Sequence, residues 1–202
     1  MINFFDLGMN EGHVTDKMTA ILDAARAEYS VYGFEPVQTH YDKLVMKYVG
    51  DPRFRIFRLA ISNSNKPVKI HHCDNNEGHS IFASKGNVSQ TSTETVPAVV
   101  FSEWLKGHVP EFQEVGQVNI MKVNIEGAEW HLFKDLVDSG VVHHIDQFCG
   151  SRGRDVEKIP ELADRIKAYY SMLKENGISV PQFCCTPKDV DMKKLLQKKG
   201  II

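Results

Sequence analysis

Residues 2–14 read INFFDLGMNEGHV and combine the signals of a buried strand, a glycine-containing turn and the start of a helix. Ile2 to Leu7 is a short apolar run, and the turn that follows carries the pattern D-x-G-x-N-x-G from Asp6 to Gly12. In a doubly wound α/β fold such a turn lies at the carboxyl edge of the sheet, where ligands bind. Glycines let the backbone approach a ligand closely, and the helix start supplies free N–H groups. The segment therefore predicts a ligand-binding α/β domain.

Strand and helix signals alternate along the rest of the chain. Helices are predicted at residues 14–27, 127–139 and 160–176. Further strands are predicted at Tyr29–Phe34, Phe54–Ile61, Val118–Ile125, His144–Cys149 and Ile178–Phe183. The order β-α-β-α-β at the start implies a mainly parallel sheet with helices on both faces. We therefore expect a Rossmann-like, doubly wound α/β fold with a sheet of about seven strands.

Two segments depart from this alternation. The helical period is lost over residues 62–100, where short β-like pieces alternate with polar turns, and we interpret this stretch as an inserted β-hairpin or lid on the substrate side. The Lys-rich end, residues 186–202, predicts a C-terminal surface helix. The length of 202 residues fits a single domain over residues 1–202.

Composition and charge exclude several classes of protein. The chain has 24 basic and 26 acidic residues, a net charge of −2, and so no basic surface suited to nucleic acid. It has no apolar run of about 18 residues that would span a membrane, and its start lacks the pattern of a signal peptide. The four cysteines show no CxxC spacing and no disulfide framework. We expect a cytoplasmic protein without a nucleic-acid partner.

An acidic residue at the end of the second strand indicates an adenosine ligand. Glu35 follows Gly12 by 23 residues, where a carboxylate accepts hydrogen bonds from ribose hydroxyls. The dinucleotide fingerprint G-x-G-x-x-G needs two glycines two apart, whereas Gly8 and Gly12 are four apart. This spacing disfavours an NAD-dependent oxidoreductase, the competing enzyme class. Asp6 adds negative charge that suits a cationic or amino-acid-bearing nucleoside.

Four blocks in order resemble the FkbM family of class I S-adenosylmethionine-dependent methyltransferases: DLGMNEGHVT from residue 6, YGFEP from 32, RLAISNS from 58 and MKVNIEGAEWHLFKDL from 121. The resemblance implies S-adenosyl-L-methionine as the cofactor, with S-adenosyl-L-homocysteine as its product. It implies O-methylation of a sugar or glycan hydroxyl, for example of a deoxyhexose such as rhamnose. A secondary-metabolite acceptor and a noncatalytic module with the cofactor fold are the alternatives. The cofactor-binding residues would be Asp6, Gly8, Asn10, Gly12, His13, Val14, Glu35, Pro36, Ala60 and Ile61.

Catalytic candidates lie near the end of the fourth strand and in the insertion. Strand alternation is expected to place Lys122, Asn124 and Glu126 on one side, toward the transferred methyl group. Lys122 is expected to pair with Glu126 or Glu35, and a purely structural buried ion pair is the alternative. The family usually has aspartate at the position of Asn124, whose neutral amide orients a hydroxyl but does not take its proton. His79 is the first candidate for the general base.

The metal requirement and the chain's wider context are left open by the sequence. His71 and His72 with Asp74 and Glu77 match no specific metal motif, so a divalent metal is neither predicted nor excluded. The first strand begins at residue 2, whereas relatives commonly carry helices before it that cover the active site. We therefore expect either that the insertion supplies the cover or that the chain is one module of a longer polypeptide, linked to glycosyltransferase domains. We favour the module.

Overall fold

The computed structural model describes residues 1–73, 78–150, 156–180, 192–198 and 200. Its centre is a parallel sheet of five strands that lie in the order Phe54–Phe57 (β3), Tyr29–Phe34 (β2), Ile2–Leu7 (β1), Val118–Val123 (β8) and Gln147–Gly150 (β9). The strand order reverses at β1, because β2 and β3 lie on one side of it and β8 and β9 on the other. This arrangement confirms the predicted Rossmann-like α/β fold.

Helices cover both faces of the sheet, as predicted. They are His13–Ala24 (α1), Gln38–Lys47 (α2), Phe101–His108 (α3), Glu129–Asp138 (α4), Ile166–Glu175 (α5) and Met192–Lys198 (α6). Alternate residues of β1 enter two different cores, since successive side chains of a strand point to opposite faces. Phe4 packs with α1 and α6, whereas Phe5 packs with α3, α4 and α5. The fully buried strand β1 therefore lies at the centre of the molecule.

The insertion, together with the two residues before it, forms two small sheets beside the main one. Ala60–Ile61 (β4) pairs in parallel with Ala98–Val99 (β7), and between them Val68–Cys73 (β5) and Val88–Val96 (β6) form an antiparallel hairpin. This confirms the predicted inserted hairpin. Its apolar residues Ile70 and Val96 pack with Val37, which follows β2, so the hairpin is attached to the edge of the sheet where β2 ends.

Several predicted strand bounds were wrong. The strand expected at Phe54–Ile61 divides into β3 and β4, because β2 offers β3 partners only as far as Phe34 and the chain then pairs with β7. The strand expected at Val118–Ile125 ends at Val123. The strand expected from His144 begins only at Gln147, after a 3₁₀ turn over Val141–His144. The main sheet consequently has five strands among the described residues rather than about seven.

The C-terminal part agrees only in part with the predictions. The helix expected over residues 160–176 begins as a 3₁₀ helix over Pro160–Arg165 and continues as α5 only from Ile166. Residues 178–180 are not a strand, and residues 181–183 of that predicted strand lie outside the described residues. The expected C-terminal helix is α6, and residues 186–191, 199 and 201–202 of the predicted segment lie outside the described residues. Leu196 of α6 is buried in the core beside α1. In the part of the chain that the structure describes, no helix is long and apolar enough to cross a membrane.

Candidate functional site

A cleft opens at the carboxyl edge of the sheet, next to the point where the strand order reverses. The residues that follow β1, β2 and β8 form one side of it, including Gly8, Glu35 and Asn124. The insertion forms the other side, including His79 and Ile81. Ligands of doubly wound folds bind at this place. The cleft is therefore the candidate active site.

The turn between β1 and α1 is packed so closely that its glycines leave no room for a side chain. A Cβ on Gly8 would lie 1.9 Å from the backbone oxygen of Asn124, and one on Gly12 would lie 2.5 Å from the Tyr48 hydroxyl. Both glycines also have positive φ, at 78° and 79°. The requirement for glycine at these positions is thus steric as well as conformational.

Glu35 lies buried at the end of β2 and lines the cleft, as the sequence predicted. Its Oε2 accepts a hydrogen bond from the Asn10 N–H at 2.7 Å, and its Oε1 accepts one from the Val37 N–H at 3.0 Å. Burial raises the pKa of Glu35 to about 7, although both amide hydrogen bonds and the Lys122 cation lower it. Each oxygen retains a lone pair for another donor. Glu35 is therefore a carboxylate that titrates near neutral pH at the wall of the cleft.

Lys122 forms a buried ion pair with Asp6. Their Nζ and Oδ1 atoms lie 2.9 Å apart, and the Lys122 ammonium also donates to the Gly8 carbonyl oxygen. Thr15 donates to the other Asp6 oxygen, Oδ2, at 2.6 Å. The prediction that Lys122 pairs with Glu126 or Glu35 was wrong, because the register of β1 and β8 places Asp6 directly opposite Lys122. The Asp6 charge is thus compensated within the protein, and Asp6 does not line the cleft.

Asn124 and Glu126 both line the cleft, but they do not share a strand face with Lys122. The expected alternation fails because β8 ends at Val123. Glu126 has φ 55°, a left-handed conformation unusual for a residue other than glycine. Its carbonyl oxygen accepts a hydrogen bond from the Ser80 hydroxyl at 2.7 Å, and its carboxylate forms an ion pair with Lys85. Two residues of the insertion thus fix Glu126 beside Asn124.

His79 lines the cleft from the insertion, and its tautomer is determined by the backbone. Its Nδ1 accepts a hydrogen bond from the Cys73 N–H at 2.9 Å. The neutral ring then carries its proton on Nε2, since the other nitrogen must keep its lone pair for the amide. The His79 ring lies beside those of His72 and His40, with centroids 5.1 and 5.6 Å away. In this tautomer His79 is a hydrogen-bond donor rather than a proton acceptor.

The structure brings together some of the predicted site residues and not others. His13 is exposed and lies 3.5 Å from the Glu11 carboxylate, while Val14 is part of the core around α1. The predicted residues that line the cleft are Gly8, Asn10, Glu35, Pro36, Ala60, Ile61, His79, Asn124 and Glu126. Those that do not line it are Asp6, Gly12, His13, Val14 and Lys122.

Glu129 supports the loop at the cleft and was not predicted from the sequence. It is fully buried, and its two carboxylate oxygens accept hydrogen bonds from the N–H groups of Ile125 and Gly127, at 3.1 and 2.7 Å. It thereby fixes the loop that carries Asn124 and Glu126. An acidic residue in the first turn of a helix that directly follows a strand is the signal that could have identified it. Ser80 and Lys85 had no comparable local signal, because their partners are distant in sequence.

The described residues contain no group of three or more His, Cys, Asp or Glu side chains that could hold a metal ion. Of the four residues considered as a metal cluster, Asp74 and Glu77 lie outside those described. His71 Nδ1 lies 3.3 Å from the Ser89 carbonyl oxygen. The structure therefore adds nothing in favour of that cluster.

Comparison with known proteins identifies the family. The sequence matches the methyltransferase FkbM domain over residues 6–169. No curated protein matches it. Among solved structures it is similar to methyltransferase FkbM from Methylobacillus flagellatus KT, with 11% identity, a TM-score of 0.46, and coverage of 84% of this chain but 37% of that one. The chain thus spans little more than a third of that relative's length. Since the domain match extends over most of its residues, this chain belongs to the FkbM methyltransferase family.

Proposed function

We propose that this chain is an S-adenosyl-L-methionine-dependent O-methyltransferase that acts on a sugar or glycan hydroxyl, for example that of a deoxyhexose such as rhamnose. Family membership supports methyl transfer in general. The observation that carries the choice of cofactor is Glu35, a buried carboxylate at the end of β2 inside the cleft. A carboxylate there is suited to accept hydrogen bonds from two ribose hydroxyls.

The residues around Glu35 fit the parts of this cofactor. Leu59, Ala60 and Ile61 give the cleft an apolar wall that suits a purine ring. Glu35 has lone pairs left for the ribose after accepting from two amides. Asn10, whose backbone is fixed by Glu35, would bind the methionine part, and bound S-adenosyl-L-methionine would supply a methyl group activated for displacement.

The acceptor side of the cleft is assigned to Asn124 and Glu126. As the acceptor oxygen forms its bond to the methyl carbon, the bond from that carbon to sulfur breaks and the hydroxyl must lose its proton. The Asn124 amide orients the hydroxyl, and the Glu126 carboxylate is assigned to accept the proton. His79, whose Nδ1 already accepts the Cys73 N–H, is not assigned as the base. Lys122 holds the cofactor turn through Asp6 and the Gly8 carbonyl.

Binding of the demethylated product tests the cofactor assignment. Isothermal titration calorimetry with S-adenosyl-L-homocysteine should show binding to the wild-type chain. Glu35→Ala should weaken it at least about tenfold, because it removes a charge-assisted hydrogen-bond acceptor and frees the Asn10 amide. Glu11→Ala is the matched control, since Glu11 lies in the same turn but is paired with Lys43 at the surface. Absence of binding to the wild-type chain would refute the proposal.

The acceptor is tested separately by mass spectrometry. The wild-type chain and S-adenosyl-L-methionine are incubated with a panel of deoxyhexose-bearing glycans, and the expected result is a mass gain of one CH₂ on at least one of them. A gain only on a non-sugar hydroxyl would favour a secondary-metabolite acceptor. Cofactor binding without any methyl transfer would favour a noncatalytic module, for which Asn124 is the supporting observation. We also propose that glycosyltransferase domains are covalently linked to this chain, which a longer parent reading frame that encodes them would support.

A further inference from the structure

Lys85 is a buried cation that belongs to neither strand of the inserted hairpin. It lies in residues 78–87, which we call the cleft loop, and its side chain is only 2% exposed. Its ammonium donates to the Gly78 carbonyl oxygen at 2.9 Å and forms an ion pair with the Glu126 carboxylate. A buried ammonium is tolerated only when charge and hydrogen bonds compensate its lost hydration. Both of these partners line the cleft, whereas Lys85 lies behind them.

Glu126 is held at two points by the cleft loop. Ser80 donates to its carbonyl oxygen at 2.7 Å, and Lys85 pairs with its carboxylate. Its φ of 55° is a conformation that a glutamate keeps only when its surroundings determine it. The direction in which Glu126 presents its carboxylate therefore depends on the insertion.

The backbone of the cleft loop also packs directly on this ion pair. Gly78 has φ 87°, and a Cβ there would lie 3.3 Å from the Lys85 Nζ and 3.5 Å from the Glu126 Oε2. The same Cβ would lie nearer still to the side-chain amide nitrogen of Asn87, at 2.9 Å. A side chain at position 78 would thus press on the ion pair, and glycine leaves room for it.

We propose that Lys85 is a positioning residue for the acceptor side of the cleft. It fixes the Glu126 carboxylate in place and fastens the cleft loop to the loop that follows β8. The role given to Glu126 at the acceptor oxygen rests on the proposed function, whereas the link between the two loops rests only on the contacts that Lys85 and Ser80 make. The alternative is that Lys85 only stabilises the fold as a whole.

Hydrogen exchange of the ligand-free chain tests the proposal. In Lys85→Met, amides of residues 78–87 and 124–129 should exchange at least about tenfold faster than in the wild-type chain, while those of β1 and β2 should change less than about twofold. Lys85→Arg retains the cation, and its exchange rates should stay within about threefold of the wild-type rates in all segments. Lys134→Met is the matched control, because Lys134 pairs with Asp138 on the exposed surface of α4.

The reciprocal variant checks the partner. Glu126→Ala should accelerate amide exchange in the same two segments as Lys85→Met. The proposal is overturned if Lys85→Met leaves the exchange rates of both segments unchanged, or if it accelerates exchange equally throughout the chain. It is also overturned if exchange in Lys85→Arg is as fast as in Lys85→Met, since the shape of the side chain rather than its charge would then hold the loop. If the wild-type chain fails to bind S-adenosyl-L-homocysteine, the proposed function fails, yet these exchange rates still decide whether Lys85 links the loops.

Discussion

Glu35 connects burial, charge and the proposed ligand in one side chain. Its pKa is raised to about 7, chiefly by burial, with Asp6 raising it further and Lys122 and two amides lowering it. Ribose hydroxyls donate to the ionised carboxylate, so binding requires the deprotonated form. The ionised fraction of such a group falls about tenfold between pH 8 and pH 6. We therefore predict that S-adenosyl-L-homocysteine binds about tenfold more weakly at pH 6 than at pH 8, as measured by calorimetry.

The control for this pH dependence is Glu35→Gln. The amide side chain does not titrate, and its single oxygen serves only one of the two backbone N–H groups that Glu35 accepts from. The affinity of Glu35→Gln for S-adenosyl-L-homocysteine should be lower than that of the wild-type chain at every pH and should not change between pH 6 and pH 8. If the affinity of the wild-type chain also did not change between pH 6 and pH 8, the assignment of Glu35 to the ribose would be contradicted.

The position of a residue was predicted where the signal is local and was missed where it depends on a distant partner. Glu35 was identified because its spacing from Gly12 and its position before Pro36 are visible in the chain. The partner of Lys122 was not, because it is determined by β1 and β8 lying side by side in register. Strand order is a property of the sheet, and the spacing of residues does not reveal it.

Among the elements, the turn between β1 and α1 shows how close packing restricts one position. Gly8 and Gly50 both have positive φ, but a Cβ on Gly8 would meet the Asn124 backbone, whereas one on Gly50 would meet nothing within 4 Å. We predict that Gly8→Ala lowers the free energy of unfolding by about 2–4 kcal/mol and that Gly50→Ala lowers it by about 1 kcal/mol. Urea unfolding of the two variants measures both values. Equal losses would mean that the close approach to Asn124 has no energetic effect.

The inserted hairpin was predicted as an element but not in its extent. The sequence predicted only short β-like pieces separated by polar turns over residues 62–100, yet β6 runs without a break over Val88–Val96. The residues SQTSTE within it lack the apolar alternation of a half-buried strand, and none of them is buried. Pairing with β5, rather than burial, makes this segment a strand. Strands stabilised mainly by a hairpin partner are difficult to identify from hydrophobic periodicity.

The molecule as a whole consists of a sheet with a core on each face and a hairpin beside the cleft. The alternation of strands and helices was enough to predict this architecture, because parallel strands require crossover helices. The contribution of the C-terminal helix was not foreseen. Its charged composition indicated a solvated surface element, and Lys193 and Lys194 are indeed exposed, but Leu196 is fully buried against the core formed by Phe4, Met18 and Leu22.

This contact predicts that α6 contributes to the stability of the whole fold. Leu196→Ala should lower the free energy of unfolding by about 2–4 kcal/mol, because it leaves a cavity beside α1 that the surrounding side chains fill only in part. Lys193→Ala, on the exposed side of the same helix, should change it by less than about 0.5 kcal/mol. Urea unfolding monitored by tryptophan fluorescence compares the two variants. If Leu196→Ala were as stable as the wild-type chain, α6 would not unfold cooperatively with the rest of the chain. It would then add nothing to the stability of the core on the α1 face.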